Sequence, residues 1–493
     1  MKLGHLAASH GSAILHGPFD LDIKGLAYDS RSVERGFLFA ALKGEKADGL
    51  DFATSAKRRG AVALLAERTP PIEIPWIEVK DARGALADLG AAWFSHPADK
   101  LALAGVTGTN GKTTTAFLID AGLRHAGHTT GLLGTVETRI ASRPKPASLT
   151  TPESLDLQRL LAEMVSEGVT HAALEVSSHA LVQERVRGLA FKAAVFTNLT
   201  RDHLDFHETF DAYFDAKKRL FTDHLREDGL AIVNADDDHG RLLSDLLGAR
   251  CRTFGLTPGA DFRPEDLNLS LHGVRFTCLT PAGNARVDSP LIGEFNVSNL
   301  LGAIGALVIL GLTPTQAAKG VSSLRGVPGR MERVDAGQPF TVIVDYAHTD
   351  DALRNLLDTL RSLNPKRILT VFGCGGDRDR SKRPLMGAVA AQRSDLVIAT
   401  SDNPRSEPPT GILDEIAQGF RNRTTPFRLI VDRREAIETA LRLAEPGDVV
   451  AIAGKGHEAT QTIRERKLPF DDRLVAREIL ANLGHAGGAH AHP

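Results

Sequence analysis

The residues Gly105-Val-Thr-Gly-Thr-Asn-Gly-Lys-Thr113 constrain this chain more than any other stretch. The apolar run Leu101 to Val106 ends in a glycine-punctuated turn, and the run Thr114-Thr-Ala-Phe-Leu-Ile119 opens a helix directly behind it. A strand, a glycine turn and a helix in that order make a phosphate cradle. The first N–H groups of a helix have no partner inside it and point at whatever lies beyond its end. Gly108, Thr109, Asn110 and Gly111 would form the loop and Lys112 would reach the β- and γ-phosphates. The Thr113 hydroxyl would face Mg²⁺, with Thr114 beside it in the first turn. The spacing departs from the general pattern, because Val106 stands five residues before Gly111 and the second glycine is Gly108. The flanking elements nevertheless predict ATP binding on a parallel α/β sheet.

The rest of the chain is ordinary in composition. Its 493 residues, 42% hydrophobic and 24% charged, suffice for about three domains. A net charge of -2 with interspersed signs gives no electrostatic hold on nucleic acid or a membrane surface, so small molecules are the expected partners. Cys251, Cys278 and Cys374 are odd in number, far apart and without a C-x-x-C pair, which fits a reducing cytoplasm and indicates neither disulfides nor zinc. The N-terminus has no continuous apolar core of an export signal, and Leu300 to Leu312 is too short to span a bilayer. His485, His490 and His492 lie in a Gly/Ala-rich tail that is expected to fray rather than bind metal.

Three α/β domains are expected. Residues 1–97 mix short apolar runs, such as Gly36 to Leu42 and Gly60 to Ala66, with turns, and Phe94 to Lys100 reads as a boundary. Over 98–329, His171 to Val176 and Lys192 to Asn198 follow helical segments, the alternation of a central P-loop ATPase-like parallel-sheet domain. Past Gly326-Val-Pro-Gly-Arg330, strands are predicted at Phe340 to Asp345, Arg367 to Phe372, Leu396 to Thr400, Phe427 to Val431 and Asp448 to Ala453. This makes 330–493 a Rossmann-like doubly wound domain with ligands in the loops past the carboxyl ends of its strands.

Several residues suit chemistry. Glu175 ends a strand, where a buried carboxylate could hold Mg²⁺ or could pair with an arginine or cap a helix. Asp202-His-Leu-Asp-Phe-His207 reads either as a ligand cluster containing His203 or as a solvated loop. On the helix around Phe210 to Phe221, Lys217 falls on the face of Phe210, Phe214 and Phe221 while Lys218 points elsewhere. Lys217 either snorkels to solvent or is a desolvated amine able to react with CO₂ and give a carbamate ligand. Thr150-Thr-Pro-Glu153 predicts a helix start with threonine at the cap, and such a start could also hold a substrate anion. Arg378 and Arg405 can each grip a carboxylate, and Asp402 and Glu458 can each meet an ammonium group. Together they suit an amino acid, unless they are surface ion pairs.

The ordered set of motifs resembles the Mur ligases, ATP-dependent amide-forming enzymes of peptidoglycan synthesis. It comprises Asp29-Ser-Arg31, Thr107 to Thr113, Leu149 to Pro152, Glu175-Val-Ser-Ser-His-Ala-Leu181, Thr197 to Asp205 and Tyr213 to Lys217. Further along come Gly293 to Asn299, Pro328-Gly-Arg330 and Asp345-Tyr-Ala-His348. The resemblance implies a first domain that holds a UDP-sugar and a middle domain that holds ATP. Ser30, Thr150, Thr151, Ser177, Gln183 and Arg185 would contact UDP-N-acetylmuramoyl-L-Ala-D-Glu. A carbamylated Lys217 with Glu175 and His203 would hold Mg²⁺, and Asn296, Arg330 and Asp345 would meet ATP. Asp402-Asn403-Pro404-Arg405, with Arg378, Gly454 and Glu458, resembles the family's diaminopimelate-selecting signature. The chain would act as a cytoplasmic monomer. A folylpolyglutamate synthetase would share the phosphate loop but lack Asp-Ser-Arg and Asp-Asn-Pro-Arg, and a nucleotide-driven switch would form no amide. Two positions depart from the family pattern, Asp350 where proline is usual and Leu50 where histidine is common.

Overall fold

A computed structural model describes residues 1–44, 47–147, 149–421 and 423–485, without the side chains of Leu204 and Asp205. His490 and His492 lie outside the described residues. The described chain forms two compact units. One comprises Met1–Glu265, Thr277–Arg286 and Ser298–Ser323, and the other Asp266–Phe276, Val287–Val297 and everything from Leu324 onward.

The first unit holds two sheets. The N-terminal one contains β1 (Ile14–His16), β2 (Gly25–Ala27), β3 (Phe37–Ala40), β4 (Ala61–Ala66) and β5 (Trp76–Glu78), in the order β1-β5-β4-β3-β2. All its pairs are parallel except β1 with β5. The central sheet contains β6 (Ala102–Thr107), β7 (Thr130–Leu133), β8 (Glu137–Ile140), β9 (Arg143–Pro146), β10 (His171–Glu175), β11 (Phe191–Phe196), β12 (Leu225–Asn234) and β13 (Cys251–Phe254). Its order is β13-β12-β11-β6-β10-β7-β8-β9, and the six strands from β13 to β7 run parallel as expected. The β8–β9 hairpin extends it antiparallel, an addition the alternation of strands and helices did not announce. β6 lies between β10 and β11, so the loop leaving it has neighbours on both sides.

A three-stranded sheet follows, β14 (Arg263–Ser270), β15 (Gly273–Leu279) and β16 (Ala285–Ser289), also absent from the expectation.

The second unit is built on β17 (Glu332–Val334), β18 (Thr341–Asp345), β19 (Ile368–Cys374), β20 (Leu396–Ser401), β21 (Phe427–Ile430) and β22 (Val449–Ala453), in the order β17-β18-β22-β19-β20-β21. β18 to β22 are the five strands expected from sequence, all parallel, and only β17 pairs antiparallel. Successive residues of each strand pack on opposite layers, the reason these segments read as continuous apolar runs. Ile343, Val397 and Ala451 pack with Leu357, Met386 and Ile416, while Val342, Ile398 and Val450 pack with Ile437, Leu441 and Ile479. A hairpin, β23 (Thr460–Ile463) with β24 (Arg466–Pro469), completes the unit.

One local expectation changes. The helix after Thr150-Thr-Pro-Glu starts only at Ser154, with Glu153 at the cap position and no side-chain cap bond, so the threonines do not cap it. Asp350 does not cost the helix Asp350–Ser362 its start, because Thr349 accepts from Ala352 N and two aspartates occupy the positive first turn. Leu50 is buried in a short 3₁₀ turn, and its own N–H donates to the capping Asp48 Oδ1 at 2.9 Å. No helix among the described residues is long and apolar enough to cross a membrane.

Candidate active site

The phosphate loop joins β6 to the helix Lys112–His125. Two glycines are demanded by their surroundings. A Cβ on Gly108 would fall 1.9 Å from Thr197 Oγ1, and one on Gly111, at φ 84°, would fall 2.3 Å from Asn299 Oδ1. The neighbouring β11 loop holds the turn, since Thr109 N donates to Asn198 O at 2.8 Å and Asn110 N to Asn198 Oδ1 at 2.9 Å. Lys112 Nζ folds back on Gly108 O and Thr109 O at 2.9 and 2.8 Å, over the helix N-terminus where a phosphate would sit. Asn299 is a site residue the sequence reading missed. It stands one helical turn after Asn296, and that spacing was the available signal. Asn296 itself is buried and donates to Ile292 O at 2.8 Å.

Glu175, 1% exposed at the end of β10, lies beside this loop. Its Oε2 accepts from Thr113 Oγ1 at 2.9 Å and Thr135 Oγ1 at 3.1 Å, and its Oε1 accepts from Thr135 N at 2.7 Å. Among the described residues it neither pairs with an arginine nor caps a helix. A buried carboxylate held by neutral donors, next to a phosphate-loop hydroxyl, offers the hard oxygens that a divalent cation takes. These residues fit Mg²⁺.

Lys217 does not snorkel. It is 1% exposed, its Nζ donates to Gly108 O at 2.8 Å, and it stands 4.3 Å over the Tyr213 ring. Burial first, and then Lys112, drive its pKa well below the ordinary lysine value. An unprotonated amine is the form that reacts with CO₂. Tyr213 was also missed; its hydroxyl meets Thr109 Oγ1 at 3.1 Å and so links this helix to the phosphate loop. Lys218, by contrast, is half-buried and pairs with Asp215. His203 stands further out, with its ring 4.8 Å from His179 and 6.2 Å from Tyr213. The structure therefore joins Thr113 to Glu175, and Lys217 to Gly108, without closing one ligand set. Among the described residues no group of three His, Cys, Asp or Glu could hold a metal ion.

The substrate candidates of this unit form a network behind Glu175. Thr151 Oγ1 donates to Glu175 O at 2.8 Å and accepts from Ser177 N at 3.1 Å, and Thr150 Oγ1 meets Thr135 Oγ1 at 3.0 Å. Arg185 donates to Thr151 O at 2.9 Å and Gln183 Oε1 at 2.6 Å and pairs with Glu153 at 2.9 Å, while its buried Nε has no hydrogen-bond partner among the described residues. Ser30, on a turn capped by Asp29, lies outside that network.

In the second unit the polar clusters occupy the carboxyl edge of the sheet, as the topology predicts. Asp345 accepts from Met331 N at 2.7 Å and Ala347 N at 2.8 Å; burial raises its pKa, and Arg330 opposes the rise. The Arg330 guanidinium lies 5.1 Å over the Tyr346 ring. Asp402 and Asn403 are buried. Asn403 Nδ2 donates to Asp402 Oδ1 at 3.0 Å and to Glu458 Oε2 at 2.9 Å. Arg405, at φ 50°, donates to Gly376 O at 2.6 Å, which ties Pro404 and its neighbours to the loop after β19. A Cβ on Gly454 would meet Asp402 Oδ2 at 2.7 Å. Arg378 is exposed and makes no hydrogen bond or ion pair among the described residues, leaving its fork available. Two carboxylates and two guanidinium groups thus surround one edge, the complement of an ammonium group and a carboxylate.

Beneath these loops lie two buried arginines that sequence did not single out. Arg383 pairs with Glu407 and Glu415 and donates to Gly375 O at 3.2 Å. Arg433 pairs with Asp472 and donates to Ser401 O and Ala453 O.

Known proteins resemble this chain in sequence and in fold. Residues 22–94 match the Mur ligase family catalytic domain, 106–307 the Mur ligase middle domain, and 329–456 the Mur ligase glutamate ligase domain. The UDP-N-acetylmuramoyl-L-alanyl-D-glutamate--2,6-diaminopimelate ligase of Solibacter usitatus is 49% identical over 467 residues, 94% of each chain. The ligase of the same name from Gloeobacter violaceus is 49% identical over 485 residues, 98% of each chain. A solved structure of a ligase with that name superposes with a TM-score of 0.72 at 35% identity, over 98% of this chain and 100% of the other. Relatives 49% identical over nearly the whole chain, with three family models matched in order, show the family: the chain belongs to the Mur ligase family.

Proposed function

We propose that the chain is an ATP-dependent ligase that adds meso-2,6-diaminopimelate to UDP-N-acetylmuramoyl-L-alanyl-D-glutamate in peptidoglycan precursor synthesis. The observation that carries the reading is the placement of Asp402, Glu458, Arg405 and Arg378 in the loops at one sheet edge, where Asn403 Nδ2 joins Asp402 to Glu458 and Arg405 is held on Gly376 O, in a chain 49% identical over nearly its whole length to ligases of that name. Diaminopimelate differs from lysine by a second carboxylate. Arg405 meets that group, and a lysine substrate would leave the guanidinium unpaired.

In this reading residues 1–97 hold the UDP-sugar with Ser30, 98–329 hold ATP, and 330–493 hold the amino acid. The phosphate-loop N–H groups and Lys112 orient the γ-phosphate, and Asn296, Arg330 and Asp345 hold the rest of the nucleotide. Thr151, Ser177, Gln183 and Arg185 place the D-glutamyl γ-carboxylate. That carboxylate attacks the γ-phosphorus and ADP leaves, giving an acyl phosphate. The diaminopimelate amine then attacks the acyl carbon, phosphate departs and the amine loses a proton. Mg²⁺, held by Thr113, Glu175, His203 and a carbamylated Lys217, would neutralise charge on the transferred phosphoryl group. The enzyme works as a monomer in the cytoplasm, where ATP and the UDP-linked precursor are at hand.

The test is phosphate release from ATP in the presence of UDP-N-acetylmuramoyl-L-Ala-D-Glu, with meso-diaminopimelate or L-lysine. Release stimulated by diaminopimelate alone, with a UDP-tripeptide of matching mass, is expected. Stimulation by lysine instead would overturn the role of Arg405, and no stimulation by either would indicate a nucleotide switch.

A further inference from the structure

A hairpin grips the loop that carries Asp402 to Arg405, and it lies beyond residue 456, where the matched glutamate ligase segment ends. β23 takes hold at successive points. Gln461, 8% exposed, donates Nε2 to Asp402 O at 2.6 Å, and Thr462 N donates to Asn403 Oδ1 at 2.8 Å. Thr462 O accepts from Arg405 N at 3.1 Å, and Arg464 N donates to Arg405 O at 2.6 Å. Both backbone groups of Arg405 are therefore fixed while its φ is 50°, a left-handed conformation that a non-glycine residue keeps only where its surroundings over-determine it.

Lys455 closes the grip from the interior. Its fully buried amine donates to Thr460 O at 2.7 Å and Glu458 Oε2 at 3.1 Å, and lies 3.5 Å from Asn403 Oδ1. With Lys455 and Thr462 facing its oxygen, the Asn403 amide turns its Nδ2 toward Asp402 and Glu458. One lysine and the hairpin thus fix the Asn403 amide and the backbone at Asp402 and Arg405, from which the Arg405 side chain reaches Gly376 O.

We infer that Lys455 and Gln461, acting through the hairpin Thr460–Pro469, are positioning residues that aim Asn403 and Arg405 and so set the choice of amino acid. The inference rests on the ligase reading above. A guanidinium rejects a substrate that lacks one carboxylate only while it is held in one place, because an arginine free to swing returns to solvent and loses the difference.

The test uses the full chain with Gln461→Met and Lys455→Met, both apolar and of similar length to the residue replaced. KM is measured for meso-diaminopimelate, ATP and the UDP-dipeptide in turn, kcat/KM is compared for diaminopimelate and L-lysine, and thermal melting checks the fold. The expected result is a diaminopimelate KM raised about ten- to hundredfold, the effect of a small misplacement of binding groups, with the other two KM values within about twofold. The preference for diaminopimelate over lysine falls with it. An unmoved diaminopimelate KM in a folded variant, or all three KM values rising together as for a merely structural defect, would overturn the inference. If Lys455→Met does not fold, Gln461→Met, which removes no charge, decides the matter alone. A wild-type chain without diaminopimelate-dependent phosphate release would instead sink the ligase reading itself.

Discussion

Arg433→Met is expected to destabilise the second unit by about 3–5 kcal/mol, the cost of stripping one partner from a buried ion pair. Arg433 and Asp472 are both 0% exposed, and the guanidinium meets the carboxylate through two bonds of 2.7 Å. Asp472 receives no other side-chain-directed hydrogen bond among the described residues, so removing the arginine strands a full charge in the interior. Ser401 O and Ala453 O lose donors at 3.3 and 3.0 Å as well, but a carbonyl left without a donor costs far less than a carboxylate. At about 1.4 kcal/mol per tenfold, opening of this unit should become roughly a hundred- to several-thousandfold more frequent. Hydrogen exchange followed by mass spectrometry in the segments 396–405 and 449–458 reads that opening directly, and calorimetry reads the melting shift. The double variant Arg433→Met with Asp472→Leu removes both charges and is expected to recover most of the loss. A single variant within about 1 kcal/mol of wild type, or a double variant as unstable as the single one, would refute the reasoning that the stranded charge is the cost.

Two further outcomes are expected. With ¹³C-labelled bicarbonate, wild-type protein should show a carbamate carbon signal that Lys217→Met lacks and Lys218→Met retains, and activity of the first variant should fall by about a hundredfold or more; an equal signal or equal activity in Lys217→Met would remove Lys217 from the ligand set. Burial holds His171, beside His128, and His457, beside Arg330, at pKa values of about 4 against the usual 6.5. Both are neutral in the folded protein where the unfolded chain already binds their protons, so stability falls as pH drops from 6.5 toward 4. His171→Gln and His457→Gln should each flatten the dependence of melting temperature on pH over that window, and an unchanged slope would show that the ring is not buried neutral.

The phosphate loop was legible because its chemistry is local. A glycine forced to φ 84°, a lysine and a threonine at the start of one helix depend on neighbours in sequence, so their order announces their use. The five parallel strands of the second unit were legible for a related reason, since strands covered on both faces are apolar throughout. Strand β17, the β8–β9 hairpin and the β23–β24 hairpin were not. Their short runs carry charged residues, as in Arg143-Pro-Lys-Pro146 and Arg466-Lys-Leu-Pro469, and pairing rather than composition makes them strands.

The amino acids by themselves determined which groups are present: a carboxylate after β10, a lysine on an apolar helix face, and arginines and acids after parallel strands. Tertiary structure alone decided which of them meet. Lys217 became a buried amine because the helix Phe210–Thr222 docks it under Gly108, more than a hundred residues away in sequence. Thr151 became a support for Glu175 rather than a helix cap because its hydroxyl found the carbonyl of a strand. Asn299, Lys455 and Arg433 are unremarkable where they stand in the chain. They matter because folding removes water from around them, and a polar group without water must take whichever partner the packing provides.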